Sequence, residues 1–223
     1  MADRMTKKEK REAAKRARME AQRRAAKQRV KRRIFSGGAV VVVIALVVFF
    51  VIQAQQGSRE RIEALNTLAQ EGNCSTLESH SEEGRSHVPE TAPVNYSTNP
   101  PTSGDHFGGT STTGVHTTPP PDGNLVHNME HGHVIFWYQP SADPGVASAL
   151  TEVVLKDPTR RLLVPRESMP QPVAFTVWGT SMTCDGTASA EKIAATAEEF
   201  AKVEGGKGPE GDLPGQPGPM TGG

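Results

Sequence analysis

Residues 34–52 form a run of nineteen positions that is almost wholly apolar, with Ser36, Gly37 and Gly38 as its soft spots. A helix needs about 17–25 such residues to cross a bilayer core. A cleaved signal peptide is the rival reading. The 33 residues before the run are too many for a leader's basic segment, and no convincing small-x-small site follows it. An uncleaved, single-pass transmembrane helix is therefore expected at 34–52.

After this run the periodicity changes. Residues 58–70 place Ile62, Leu65, Leu68 and Ala69 on one helical face behind a capping Ser58, which makes 53–71 a stalk or docking helix. Residues 134–138, Val-Ile-Phe-Trp-Tyr, read as a buried strand. Asp143-Pro144 opens a helix whose apolar face is Val146, Leu150, Val153 and Val154, and Asp157-Pro158 stops it. Short strands are expected at 161–164 and 173–178. A helix at 189–203 carries Ile193, Ala197 and Phe200 on one face and ends at Gly205-Gly206.

Strand–helix–strand–strand–helix is the order of an α+β domain, a mixed sheet with two or three packed helices, over residues 72–204. The step from 134 to 164 allows one parallel pair with a right-handed crossover. Residues 75–124, rich in Pro, Gly, Ser and Thr, read as a long loop of the kind that is either functional or disordered. The tail, 205–223, has twelve Gly or Pro in nineteen residues and is expected to be disordered.

Charge sharpens the topology. Residues 1–33 hold fifteen Lys/Arg against four Asp/Glu, a net of +11, and residues 34–223 hold ten against twenty-one, a net of −11. The basic segment beside an apolar helix is expected to be cytoplasmic and to lie against anionic lipid, with the rest of the chain extracytoplasmic. It lacks interleaved aromatics, so no nucleic acid is expected as a partner. Two cysteines, Cys74 and Cys184, fall on the outer side, where an even count in an oxidising compartment favours a disulfide closing a 111-residue loop. Neither sits in a Cys-x-x-Cys motif, which disfavours a thioredoxin-type role.

The chemistry concentrates in His127-Asn128-Met129-Glu130-His131-Gly132-His133, with His106 and His116 upstream, so that five histidines fall within residues 106–133. Imidazole, carboxylate and thioether are donors used by Zn and Cu sites. Two geometries compete. His127-x-x-Glu130-His131 matches the string of inverted zinc peptidases, but that mechanism needs a helix, and with Pro119–Gly123 just upstream and Gly132 just downstream at most two turns are expected to fit. An extended segment would put His127, Met129, His131 and His133 on one face. Ordinary loop histidines bonded to backbone are the plainer account. No phosphate-cradling glycine loop and no Gly-x-Ser-x-Gly elbow occurs.

Asn99-Pro-Pro-Thr-Ser-Gly-Asp-His106, Leu125-Val-His-Asn-Met-Glu-His-Gly132 and the strand that follows resemble a bacterial membrane-anchored family catalogued as domain of unknown function 3105. The resemblance covers about residues 72–204. It implies a basic N-terminus, one membrane span and an outer domain, hence a location in the bacterial cell membrane. Its motifs match at His106, His127, Glu130 and His131. Met129 stands where the family has Leu, His133 where it has a small residue, and His116 lies outside the pattern. The resemblance thus favours His106, His127 and His131 as ligands, with Glu130 as ligand or orienting group, over His116, His133 and Met129. It implies no activity. The function expected is binding of a Zn or Cu ion. The alternatives are a metal-free cell-envelope interaction domain with an unknown protein partner and, third, a metal-dependent hydrolase.

Overall fold

A computed structural model describes residues 7–211 of the chain. The chain divides into two units, Met1–Ser58 and Arg59–Gly223. The first contains most of helix α1 (Lys7–Glu71). The transmembrane helix expected at 34–52 is not borne out, because no helix among the described residues is long and apolar enough to cross a membrane. The reason lies in the soft spots. Past Ser36-Gly37-Gly38 the unbroken apolar stretch is 39–52, fourteen residues. At a rise of 1.5 Å per residue these span about 21 Å, short of the roughly 30 Å of a hydrocarbon core.

The second unit begins with the last turns of α1. Leu65 and Ala69 are buried there, as their spacing predicts, whereas Ile62 is 40% exposed. Four short strands follow: β1 (Glu78–Ser79), β2 (His87–Val88), β3 (His106–Phe107) and β4 (Gly114–Val115). Then come α2 (Asp122–Glu130), β5 (Val134–Tyr138), α3 (Pro144–Lys156), β6 (Arg161–Pro165), β7 (Val173–Val177), β8 (Thr180–Cys184) and α4 (Ala190–Glu204).

The six-stranded sheet runs β1-β8-β7-β5-β6-β4. β5 and β6 are parallel, joined through α3, and β5, β7 and β8 are antiparallel neighbours, so the sheet is mixed as expected. β5 sits between β6 and β7 with both faces covered. This explains its unbroken apolar string, since a strand buried on both sides has no solvent-facing positions to make polar.

Side chains alternate across the sheet. Phe136, Leu163, Phe175 and Met182 face one core with Leu65, Leu150, Val154, Ile193 and Phe200 of the helices. Ile135, Trp137, Leu162, Val164 and Ala174 face a second core with Leu125, Val126 and Met129 of α2. Trp137 is fully buried and its indole N–H donates to Thr176 Oγ1 at 2.8 Å, so it fills the core with its one polar atom satisfied. α3 begins as expected, with Asp143 accepting from the backbone of Gly145 at 2.8 Å and Pro144 in the first turn.

Cys74 and Cys184 form a disulfide. Beside it, Ser75 N–H donates to Thr183 O at 2.7 Å, so the end of α1 is stitched to β8 by covalent and hydrogen bonds together. Residues 205–211, at the head of the Gly/Pro tail, lie against the end of α2: Gly206 N–H donates to Gly132 O and Glu210 N–H to Glu130 O, both at 2.9 Å. The rest of that tail, and the first six residues of the basic segment, lie outside the described residues.

Candidate metal centre

α2 is nine residues long, and its buried positions include His127, Asn128 and Glu130 beside the apolar Leu125, Val126 and Met129. Pro121 ends the extended Pro119-Pro120-Pro121 run, and its carbonyl accepts from Asn124 and Leu125 N–H, which starts the helix. Leu125, Val126 and Met129 dock onto the sheet. His127 and Glu130, three residues apart, then share another face, as i and i+3 positions do. The extended geometry that would align His127, Met129, His131 and His133 is therefore not adopted. Met129 is fully buried in the second core.

The loop opposite α2 is tied down by three devices. Asn128 clamps the backbone of Ser111, accepting its N–H at 2.9 Å and donating to its carbonyl at 3.0 Å. Phe107 packs on Gly123, where an added Cβ would sit 2.6 Å from the ring. Gly104, at φ +131°, lets the chain turn beneath Tyr96, whose hydroxyl donates to Asp105 O at 3.0 Å. The Pro100–Gly104 stretch is buried, and Gly179 N–H donates to Thr102 O at 2.9 Å. These contacts fix β3, which pairs in parallel with β2 so that His106 and His87 are direct cross-strand partners.

The result is a group of four side chains, His87, His106, His127 and Glu130, each offering one donor atom, with all four atoms within 4.8 Å of one another. Donor atoms of a tetrahedral ion bound at about 2.0–2.1 Å stand roughly 3.3 Å apart, so small side-chain rotations close the group on an ion. His106, His127 and Glu130 are 6% exposed or less, whereas the His87 side chain is 51% exposed. Three donors are thus held inside and the fourth stands at the surface.

The hydrogen bonds assign the donor atoms. His106 Nδ1–H donates to Gly104 O at 2.8 Å, so in the neutral ring Nε2 carries a lone pair. That Nε2 lies 3.0 Å from Glu130 Oε2, and His87 Nε2 lies 3.4 Å from the same oxygen. A lone pair facing a carboxylate oxygen needs a proton or a metal ion between them. Fixing one imidazole nitrogen on a backbone carbonyl so that the other is free to coordinate is a common arrangement around metals.

His127 contributes the second sign. Its Nδ1 is the buried side-chain N or O atom left without a hydrogen-bond partner among the described residues. Its ring centroid lies 4.7 Å from that of His87 and 5.1 Å from that of His106. Burial first, and then the neighbouring His131, His106 and His87, hold its pKa below the usual histidine range, which keeps the ring neutral and able to coordinate.

The other expected ligands are not members of this group, although His131 touches it. His131 sits at the C-terminal cap of α2 and meets His127 through the two Nε2 atoms at 3.0 Å. His116 Nε2–H donates to Thr112 O at 2.8 Å, on the far side of the Asn128 clamp in sequence. His133 is buried and its Nδ1–H donates to Asn128 O at 2.8 Å. His87 is the residue that sequence reasoning missed. It stands outside the dense histidine stretch, and only the β2–β3 pairing brings it in.

His133 carries a pH prediction. Burial pushes its pKa down to about 4, against an ordinary value near 6.5. Between these values the unfolded chain binds a proton that the folded one does not, so stability rises with pH across that window and is lost as pH falls from about 6.5 to about 4. The expected loss is about 3 kcal/mol, since each pH unit of displacement corresponds to about 1.4 kcal/mol. Urea unfolding at several pH values checks this. The slope between pH 4 and 6.5 should be shallower in His133→Gln; equal slopes in both proteins would reject the assignment.

No curated protein and no solved structure matches the chain. A family model described as protein of unknown function (DUF3105) matches residues 87–214, a span that opens on His87. That span is more than half of the chain, and the chain belongs to this family.

Proposed function

We propose that the second unit binds a single transition-metal ion, with His106, His127 and Glu130 as inner ligands and His87 as the ligand at the surface. The observation that carries this reading is the convergence of four donor atoms within 4.8 Å of one another, three of them from buried side chains. Three imidazoles and one carboxylate suit Zn(II) or Cu(II). The soft sulfurs that would favour Cu(I) are engaged elsewhere, Met129 in the core and both cysteines in the disulfide.

The role is metal retention and exchange. A purely structural zinc site is closed on all sides, whereas here one ligand is half exposed, so an ion enters and leaves past His87. Hydrolysis is the weaker reading. Glu130 points at His106 and His87, where it serves as a ligand, rather than standing free as a base beside metal-bound water. The Cys74–Cys184 disulfide supports an oxidising compartment as the place of work.

Elemental mass spectrometry of the full chain, purified without chelator or affinity histidines and reloaded with Zn(II) or Cu(II), tests the proposal. The expected content is about one ion per chain, falling to background in His127→Ala/Glu130→Gln. A folded wild-type protein that retains neither metal after reloading would overturn it.

A further inference from the structure

We infer that His131 is a positioning residue that selects the coordinating tautomer of His127, and that residues 205–211 hold it in place. The inference rests on the metal-binding reading above. His127 and His131 share a contact between two Nε2 atoms at 3.0 Å. In a bond between two neutral imidazoles one nitrogen carries the proton and the other accepts it.

If His131 donated, His127 would carry its own proton on Nδ1. That atom is buried and has no acceptor among the described residues, so the proton would be stranded. If His127 donates from Nε2 and His131 accepts, Nδ1 becomes a buried lone pair on a ring whose centroid lies 4.7 Å from that of His87 and 5.1 Å from that of His106. A buried lone pair with no donor nearby is what a cation completes. The same tautomer is thus selected by the hydrogen bond and required by the ion.

The position of His131 is itself built. It caps α2, and the next residue, Gly132, has φ +77°. A Cβ at Gly132 would stand 2.8 Å from the backbone of Gly206, so glycine is what allows 205–211 to lie against this turn. Gly206 and Glu210 donate their N–H groups to Gly132 O and Glu130 O. Glu210 Oε2 comes to 3.8 Å from His131 Nδ1, the nitrogen that carries the proton when Nε2 accepts. The string His127-x-x-Glu130-His131 therefore divides its labour: His127 and Glu130 meet the ion, and His131 aims His127.

The experiment compares wild-type full chain with His131→Gln, His131→Leu and His131→Ala by chelator competition for Zn(II), with thermal melts as a folding control. Glutamine keeps an acceptor for the His127 Nε2 proton, whereas leucine keeps only volume. Alanine and leucine should each weaken binding about 10–100-fold while content at saturation stays near one ion, and glutamine should restore most of the affinity. Equal affinity in all four proteins would overturn the inference, as would restoration by leucine. Loss of saturable binding in all three variants would make His131 a direct ligand and overturn it as well. A wild-type protein without binding would instead bring down the underlying metal-site reading.

Discussion

Alanine at position 106 is expected to abolish tight metal binding and to destabilise the metal-free fold by about 3–5 kcal/mol. His106 is fully buried and serves two partners at once, donating to Gly104 O and facing Glu130 Oε2. Removing it leaves a carboxylate that is 3% exposed without its 3.0 Å partner, with the half-exposed His87 at 3.4 Å. Isolating one member of a buried charged or polar pair is among the most damaging single changes, because the partner keeps its desolvation cost.

The metal effect should exceed 100-fold, since losing an outer-shell partner alone costs about 10–100-fold. Denaturant unfolding of metal-free protein, followed by the fluorescence of buried Trp137, gives the stability term. Adding Glu130→Gln to His106→Ala should recover part of the loss, because a neutral amide is cheaper to bury than an unpaired carboxylate. Strong non-additivity in that double-mutant cycle is the signature of a coupled pair. Simple additivity with an unchanged midpoint for His106→Ala would mean that the two side chains do not depend on each other.

The elements that were legible in the chain are those whose signal is apolar and local. β5 was readable residue for residue because a strand covered on both faces is a continuous Val-Ile-Phe-Trp-Tyr run. α3 was readable from its cap, Asp143-Pro144, and from Val146, Leu150, Val153 and Val154. β8 was not. Its core-facing positions are Met182 and Cys184, alternating with Ser and Thr, so its period-two pattern is faint. The membrane helix failed for a different reason. Composition over nineteen residues resembled a span, but the Ser-Gly-Gly interruption left a shorter apolar run.

The candidate site was legible in part. His106, His127 and Glu130 were named from donor chemistry and from a motif resemblance, and the structure brings them together. Their helix, α2, was harder to read because its buried face includes His127, Asn128 and Glu130, which hydrophobic periodicity counts as exposed. His87 had no local signal at all. It reaches the site through a two-residue parallel pairing with a strand nineteen positions further along the chain, and such non-local contacts leave no trace in spacing.

Replacing the disulfide, Cys74→Ala/Cys184→Ala, is expected to lower stability by about 4–5 kcal/mol while leaving metal content unchanged well below the melting temperature. The crosslink joins residues 110 positions apart, and the entropy removed from the unfolded chain grows with the loop it closes. It ties the end of α1 to β8, whereas the proposed ligands sit on β2, β3 and α2 and are held by Asn128, Gly104 and Phe107. Fold stability and site geometry therefore rest on separate contacts. The melting temperature should fall on the order of 10 °C, as a change of this size does in a protein of 150–250 residues. Metal content at room temperature, read by elemental analysis on the same samples, should stay at the wild-type value. If the ion is lost together with the disulfide at a temperature where the far-UV spectrum is still native, the site depends on β8 after all. The contact responsible would then be Trp178, which follows β7 and packs edge-on against His106 at 5.9 Å between ring centroids.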